Sequence, residues 1–149
     1  MKIVLADSHA KPLTKSEVMQ LLARPNILRL AYLDHRGDPI VHPLWYYYSK
    51  SRFFVATDME STKALALRKN SRVYFLIDES PKGGRQHGVR GKGTVKVVDD
   101  PGYATKVTRR NVKRYLGTLN SKAAKMILEM GPDSCVLEIT PSYIGTWKF

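Results

Sequence analysis

Ser61, Thr62 and Lys63 stand where an apolar run, Phe53 to Thr57, gives way to the helix-forming segment Glu60 to Lys69. Two hydroxyls and a lysine at such a junction suit an anion. A helix N-terminus presents unpaired N–H groups and a partial positive charge, so the three together could hold a phosphate. The plainer alternative is that Ser61 or Asp58 caps a short helix and Lys63 points into water. His42, beside Pro43, offers an imidazole for acid–base work, or equally for packing and hydrogen bonding at a strand edge. Trp45, Tyr46, Tyr47 and Tyr48 carry more aromatic surface than one ligand slot can use. Alternation along a strand sends Trp45 and Tyr47 to one face and Tyr46 and Tyr48 to the other, so at least two belong to packing.

Much chemistry is excluded. No Ser-His-Asp order, paired-carboxylate motif or Walker-type loop is visible. The single cysteine, Cys135, excludes an intrachain disulfide and lies in an apolar run that makes it a buried core thiol. His9, His35, His42 and His87 are scattered, which leaves a metal site without support. Lys plus Arg number 25 against 13 Asp plus Glu, and the resulting +12 favours an anionic partner: nucleic acid, an acidic surface or a phosphorylated cofactor. The charge is spread through Lys82 to Lys96 and Lys106 to Lys125, which also fits a solvated basic surface. No run reaches the length of a membrane span, and Met1 to Leu5 is too short for a signal-peptide core, so the expectation is a soluble, cytoplasmic protein.

The elements that must position these residues are short. At 149 residues the chain fits one domain, residues 1–149, with a proper core but little room for a deep two-domain cleft. Thr14-Lys15-Ser16-Glu17 has capping-box form and opens an amphipathic helix that Arg24-Pro25 stops. Ile27 to Leu33 and Pro39 to Tyr48 flank a turn with Gly37 and read as a hairpin, with Phe53 to Thr57 as the third strand of a meander. Glu60 to Lys69 reads as a helix burying Ala64, Leu65 and Leu67, with Asn70 as a left-handed stop before the strand Arg72 to Asp78. Ser80 to His87 is a basic loop whose two glycines would permit a lid. In Gly88 to Val98, Val89, Gly91, Gly93, Val95 and Val97 share one face and Arg90, Lys92, Thr94 and Lys96 the other, and the glycines permit close approach of backbone or ligand. Asp99 to Met130 is helical with a break near Gly117, and Cys135 to Ile139 and Tyr143 to Phe149 are the last strands. Many short antiparallel strands with helices between them predict a mainly β fold, a small barrel with peripheral helices.

With the strands in this order the chain resembles the pyridoxamine 5'-phosphate oxidase-like family of FMN-binding split-barrel flavoproteins, from about Ser16 to Phe149. His42-Pro43-Leu44-Trp45-Tyr46 resembles the strand beside the flavin, and Val55-Ala56-Thr57 the next ligand-contacting strand. Ser61-Thr62-Lys63 is similar to the family's Ser-Arg-Lys phosphate segment, Val89-Arg90-Gly91-Lys92-Gly93 to its Val-Arg-x-x-Gly strand, and Ser142 to Trp147 to its Ser-Gln-Ile-Gly-Ala-Trp element. The resemblance implies a six-stranded antiparallel split β-barrel and a homodimer with FMN at the subunit interface. It also implies two-electron transfer with a small-molecule substrate. Thr62 and Lys63 would contact the phosphate, Ala56 and Thr57 would give backbone and hydroxyl contacts, and His42 to Tyr46 would run beside the ring. Trp147 would come from the partner subunit, besides anchoring the C-terminal strand. The protein would need no dedicated acid or base, because the flavin carries the redox chemistry.

The chain departs from the authentic oxidase at informative places. The basic residues at the ends of the flavin-side strand are replaced at Val41 or His42 and at Tyr46, and a flavin-binding Gln becomes Gly88. The Arg-Pro-Arg substrate segment becomes Ile139-Thr140-Pro141, which removes two cations that would hold pyridoxamine phosphate. These changes point away from vitamin B6 oxidation. Two rivals follow: a reductase of the same fold using the deazaflavin F420, whose phosphate and polyglutamate tail would suit a basic surface, and a non-enzymatic basic barrel that binds nucleic acid or stores flavin. Against nucleic acid, basic and aromatic residues do not interleave along any one strand.

Overall fold

The computed structural model describes residues 2–149. Helix α1 (Lys15–Ala23) starts on a reciprocal capping box: the Glu17 amide donates to Thr14 Oγ1 at 3.2 Å and the Thr14 amide donates to the Glu17 carboxylate at 2.7 Å. Strands β2 (Leu28–Leu33) and β3 (Pro39–Leu44) form the expected hairpin, with Gly37 at φ +85° where a side chain would be strained. Then follow β4 (Tyr47–Ser49), β5 (Arg52–Asp58), α2 (Thr62–Lys69), β6 (Arg72–Glu79) and β7 (His87–Val98). Helices α3 (Pro101–Leu116) and α4 (Lys122–Glu129), separated at the left-handed Gly117, lead through a 3₁₀ turn (Gly131–Asp133) into β8 (Ser134–Lys148). An N-terminal strand, β1 (Lys2–Leu5), pairs parallel with β8.

The sheet runs β3-β2-β6-β7-β8-β5-β4. Its two ends are β3 and β4, and between Leu44 and Tyr47 lie only Trp45 and Tyr46. Two residues cannot span an open sheet of this width, so the sheet must curl until its ends meet. The result is the split barrel. Inside it Phe53, Val55, Phe75, Ile77, Val89, Leu137 and Ile139 form the main core, closed by Val18, Leu21 and Leu22 of α1 and by Ala64, Ala66 and Leu67 of α2. A second, smaller core lies on the outer face of the sheet, where Ala104 and Val107 of α3 meet Phe54 and Val136.

Several expectations need correction. The sheet has eight strands, since β1 and the short β4 add to the expected six. The expected meander holds in its pairings, β2 with β3 and β4 with β5, but its middle strand is split in two and β5 also pairs with β8, from Phe53↔Ile139 to Asp58↔Ser134, a pairing set by the core and not by chain proximity. The segment Pro39 to Tyr48 breaks at Trp45-Tyr46 to turn the barrel corner. The two C-terminal strands are one, because Pro141, which has no amide proton to donate, falls at the register shift between Lys92 and Gly93 and interrupts no regular ladder. On α2 the buried face is Lys63, Ala64, Ala66 and Leu67, while Leu65 is 48% exposed. Asn70 is extended at φ −134°, with the chain passing directly into β6. Cys135 is buried as expected.

Candidate functional site

Ser61 is the N-cap of α2, its hydroxyl accepting from the Ala64 amide at 3.2 Å, so it shapes the helix start and is not free for a ligand. Thr62 is exposed beside it. The first-turn amides of Thr62 and Lys63 have no intrahelical acceptor. Lys63 turns inward and is only 8% exposed. Among the described residues it makes no hydrogen bond or ion pair. Burial holds its pKa below the ordinary lysine value, which Cys135 and Asp58 only partly oppose. His42 on β3 shares this corner: its pKa is lowered first by burial and then by the Lys63 ammonium. Its ring lies edge-on to Tyr32 at 5.6 Å, with Nδ1 3.5 Å from the Tyr32 hydroxyl. Two nitrogen bases thus share one corner with no carboxylate hydrogen-bonded to either, Asp58 acting on Lys63 only through its charge.

A cavity of about 270 Å³ adjoins this corner on the outer face of β5, roofed by α3 and α4. Trp45, Ala56 and Thr57 line it, joined by Asp58, Thr108, Asn111, Met130 and Asp133. Trp45 is held by stacking on Tyr115 at 4.8 Å with the planes 2° apart. Sequence reasoning missed Thr108 and Asn111. The signal was present: Ala104, Val107, Thr108, Asn111 and Val112 follow the buried stripe of α3, and two of the five are polar.

The remaining candidates sit elsewhere. Tyr46 is fully enclosed, its hydroxyl donating to the Leu22 carbonyl at 3.2 Å, and Tyr48 packs on Phe53, so these two are the structural members of the aromatic run. Leu44 is partly buried against the main core, and Pro43 is exposed on the edge strand β3. Gly88, Arg90 and Trp147 meet elsewhere on the outer face of the barrel, away from α2. Gly88 has no side chain because Trp147 occupies its place: a Cβ would lie 2.6 Å from the indole. Arg90 donates to the Ala6 carbonyl at 2.7 Å, and with Trp147 it lines a separate cavity that none of the α2 residues reaches. Within one chain the predicted set therefore falls into three places. A cross-strand row, Tyr74–Lys92–Tyr143, puts the Lys92 ammonium 5.6 Å from the Tyr143 ring; this interleaving of base and aromatic exists only across strands and is invisible along any one of them. Among the described residues no group of acids, histidines and cysteine could hold a metal ion, and no helix is long and apolar enough to cross a membrane.

The sequence profile of the family described as pyridoxamine 5'-phosphate oxidase matches residues 14–148. The chain belongs to this family. A conserved hypothetical protein from Mycobacterium tuberculosis superposes with a TM-score of 0.79 at 21% identity, covering 95% of this chain and 88% of that one. An F420 reductase superposes with a TM-score of 0.67 at 22% identity over 85% of this chain and 94% of that one. A FAD-binding protein from Mesorhizobium loti gives 0.67 at 21% identity, covering 95% and 99%. Identities this low establish the fold and no more. No curated protein matches the chain.

Proposed function

We propose that this chain is an FMN-binding flavoprotein oxidoreductase that acts on a small organic substrate, as a homodimer whose partner supplies the ring-side residues that one subunit keeps on its far face. The observation that carries the reading is Lys63, a buried ammonium with no hydrogen-bond acceptor among the described residues, set beside unpaired helix-terminal amides and His42. Asp58 acts on it through its charge without forming an ion pair, so a phosphate would supply the direct partner that the ammonium lacks. Lys63 and the Thr62 and Lys63 amides would hold the phosphate, and Thr57 and Ala56 would border the ring. Bound FMN supplies a two-electron centre that exchanges hydride at N5. The chain's own part is to orient the ring and substrate and to keep water out; it offers no dedicated general acid or base.

F420 is the second reading. It is supported by the F420 reductase of the same fold and by the basic surface around the barrel, +12 in total. Visible absorption of the purified protein before and after adding FMN, with Lys63→Ala in parallel, separates the cases. Flavin bands that travel with the wild type through gel filtration and are weakened in the variant support FMN. A protein that ignores FMN but binds F420 moves the assignment to the deazaflavin, and one that ignores both leaves a basic binding module.

A further inference from the structure

The cavity under α3 runs against the charge of the whole molecule. In a chain with 25 Lys and Arg, no cation lines it, whereas Asp58 and Asp133 do. Two oxygens of its wall residues, Thr108 Oγ1 and Asn111 Oδ1, have no hydrogen-bond partner and, as the side chains stand, are closed to solvent, the residues being only 6% and 4% exposed. A buried unpaired polar atom costs roughly 1–3 kcal/mol, so two in one cavity wall call for a partner from outside the chain. Asn111 is held by its amide nitrogen, which donates to the Phe54 carbonyl at 3.3 Å; what it has left is an acceptor. Thr108 and Asn111 are three residues apart on α3 and so share a face. A helical threonine divides between two χ1 rotamers, which gives its hydroxyl a route to the cavity. Trp45 supplies a flat wall opposite, and Ile127 and Met130 an apolar rim.

We infer that this cavity is a binding site for a small, uncharged or cationic ring compound that donates N–H or O–H hydrogen bonds to Asn111 and Thr108, and that it rejects anions. Calling that compound the substrate rests on the flavin reading above; the binding itself does not. Water can occupy the space until such a ligand displaces it. The volume suits a single ring with a short polar head. A phosphorylated or carboxylated substrate would bring its charge against two acids with no cation to answer it.

Benzamide, benzamidinium and benzoate test this, since they share one shape and differ in charge and in donor count. Their binding is followed by the fluorescence of Trp45 in a Trp147→Phe background, and flavin uptake is scored separately in the wild type. Benzamide and benzamidinium should bind, and benzoate about tenfold more weakly or not at all. Asn111→Leu should weaken benzamide about tenfold, and the isosteric Thr108→Val by a smaller factor that does not depend on how the larger change is tolerated. Benzoate binding as well as benzamide, no binding of either donor, or affinities unmoved by both variants would overturn the inference. Discrimination among the probes in a protein that takes up no flavin would keep the site and remove the flavin reading; flavin uptake without discrimination would do the reverse.

Discussion

The corner at the start of α2 and the cavity beneath α3 are neighbours joined through Thr57 and Asp58, but opposite in chemistry. The first gathers a lysine with no ion pair among the described residues, a histidine depressed by burial and by that lysine, and free helix-terminal amides. The second has carboxylates, apolar walls and two unanswered oxygens. One region wants negative charge and the other refuses it. A molecule that divides its sites in this way can hold a phosphate-bearing cofactor and an uncharged substrate side by side without either competing for the other's place. The net charge of the chain conceals that division.

The largest expected effect lies at Lys63. Lys63→Ala should weaken FMN by roughly tenfold to a hundredfold, the range for a charged hydrogen bond of ~1.5–3 kcal/mol. Titration of flavin fluorescence measures it. Lys63→Met should show the same loss of FMN while the urea midpoint of the flavin-free protein holds or rises, because an unpaired buried charge is removed. A fall in stability with FMN binding intact would merge the two regions into one packing problem.

Salt should sharpen the contrast further. FMN affinity depends on charge at the α2 corner and should fall severalfold as ionic strength rises toward 1 M, whereas benzamide binding, resting on neutral donors and apolar contact, should barely move. Equilibrium dialysis of both in the same buffers provides the comparison. Equal salt dependence would show that the cavity is governed by charge after all.

These two regions were not equally legible. The corner is contiguous in sequence: a hydroxyl cap, a lysine and the end of an apolar strand lie within seven residues, Thr57 to Lys63, and local rules of helix initiation read them directly. The same locality made the Thr14–Glu17 capping box, the Gly37 hairpin and the alternation of β7 readable. The cavity draws on Trp45, on β5, on α3 and on the turn before β8, so it exists only once β5 pairs with β8 and α3 lies across them. Nothing in a strand's own residues names its partner. That is also why the pairing of β5 with β8 was not foreseen, why β1 was missed, and why Leu65 was placed inside: which face of a short helix is buried depends on what packs against it. The two polar residues on the apolar stripe of α3 were the trace the cavity left in the sequence.

His42 gives the comparison a pH dimension. Its folded pKa is lowered from the ordinary value of 6.5, so between that value and the lower folded one the unfolded chain binds more protons. The corner's contribution to stability is therefore present above 6.5 and is lost as pH falls through the window beneath it. In the flavin-free protein, the slope of the urea midpoint over this window should be shallower in His42→Gln than in the wild type. With FMN bound, the phosphate favours the imidazolium, and wild-type stability should fall less on acidification than it does in the free protein. A slope that His42→Gln leaves unchanged would place the pH response elsewhere.

Thr108→Val carries the smallest effect and the sharpest sign. Replacing a satisfied buried threonine normally destabilises, because a hydrogen bond is lost; replacing an orphaned one removes a desolvated oxygen and leaves the shape unchanged. Thermal unfolding of the ligand-free variant should therefore show no loss, with a gain of up to about 1 kcal/mol. Benzamide at a fixed concentration should then stabilise the wild type more than the variant, since one of its hydrogen bonds is made to a hydroxyl that the variant lacks. The two results have opposite signs at one residue, free and bound. A helix packing defect could produce the first, but only an oxygen waiting for a ligand produces both.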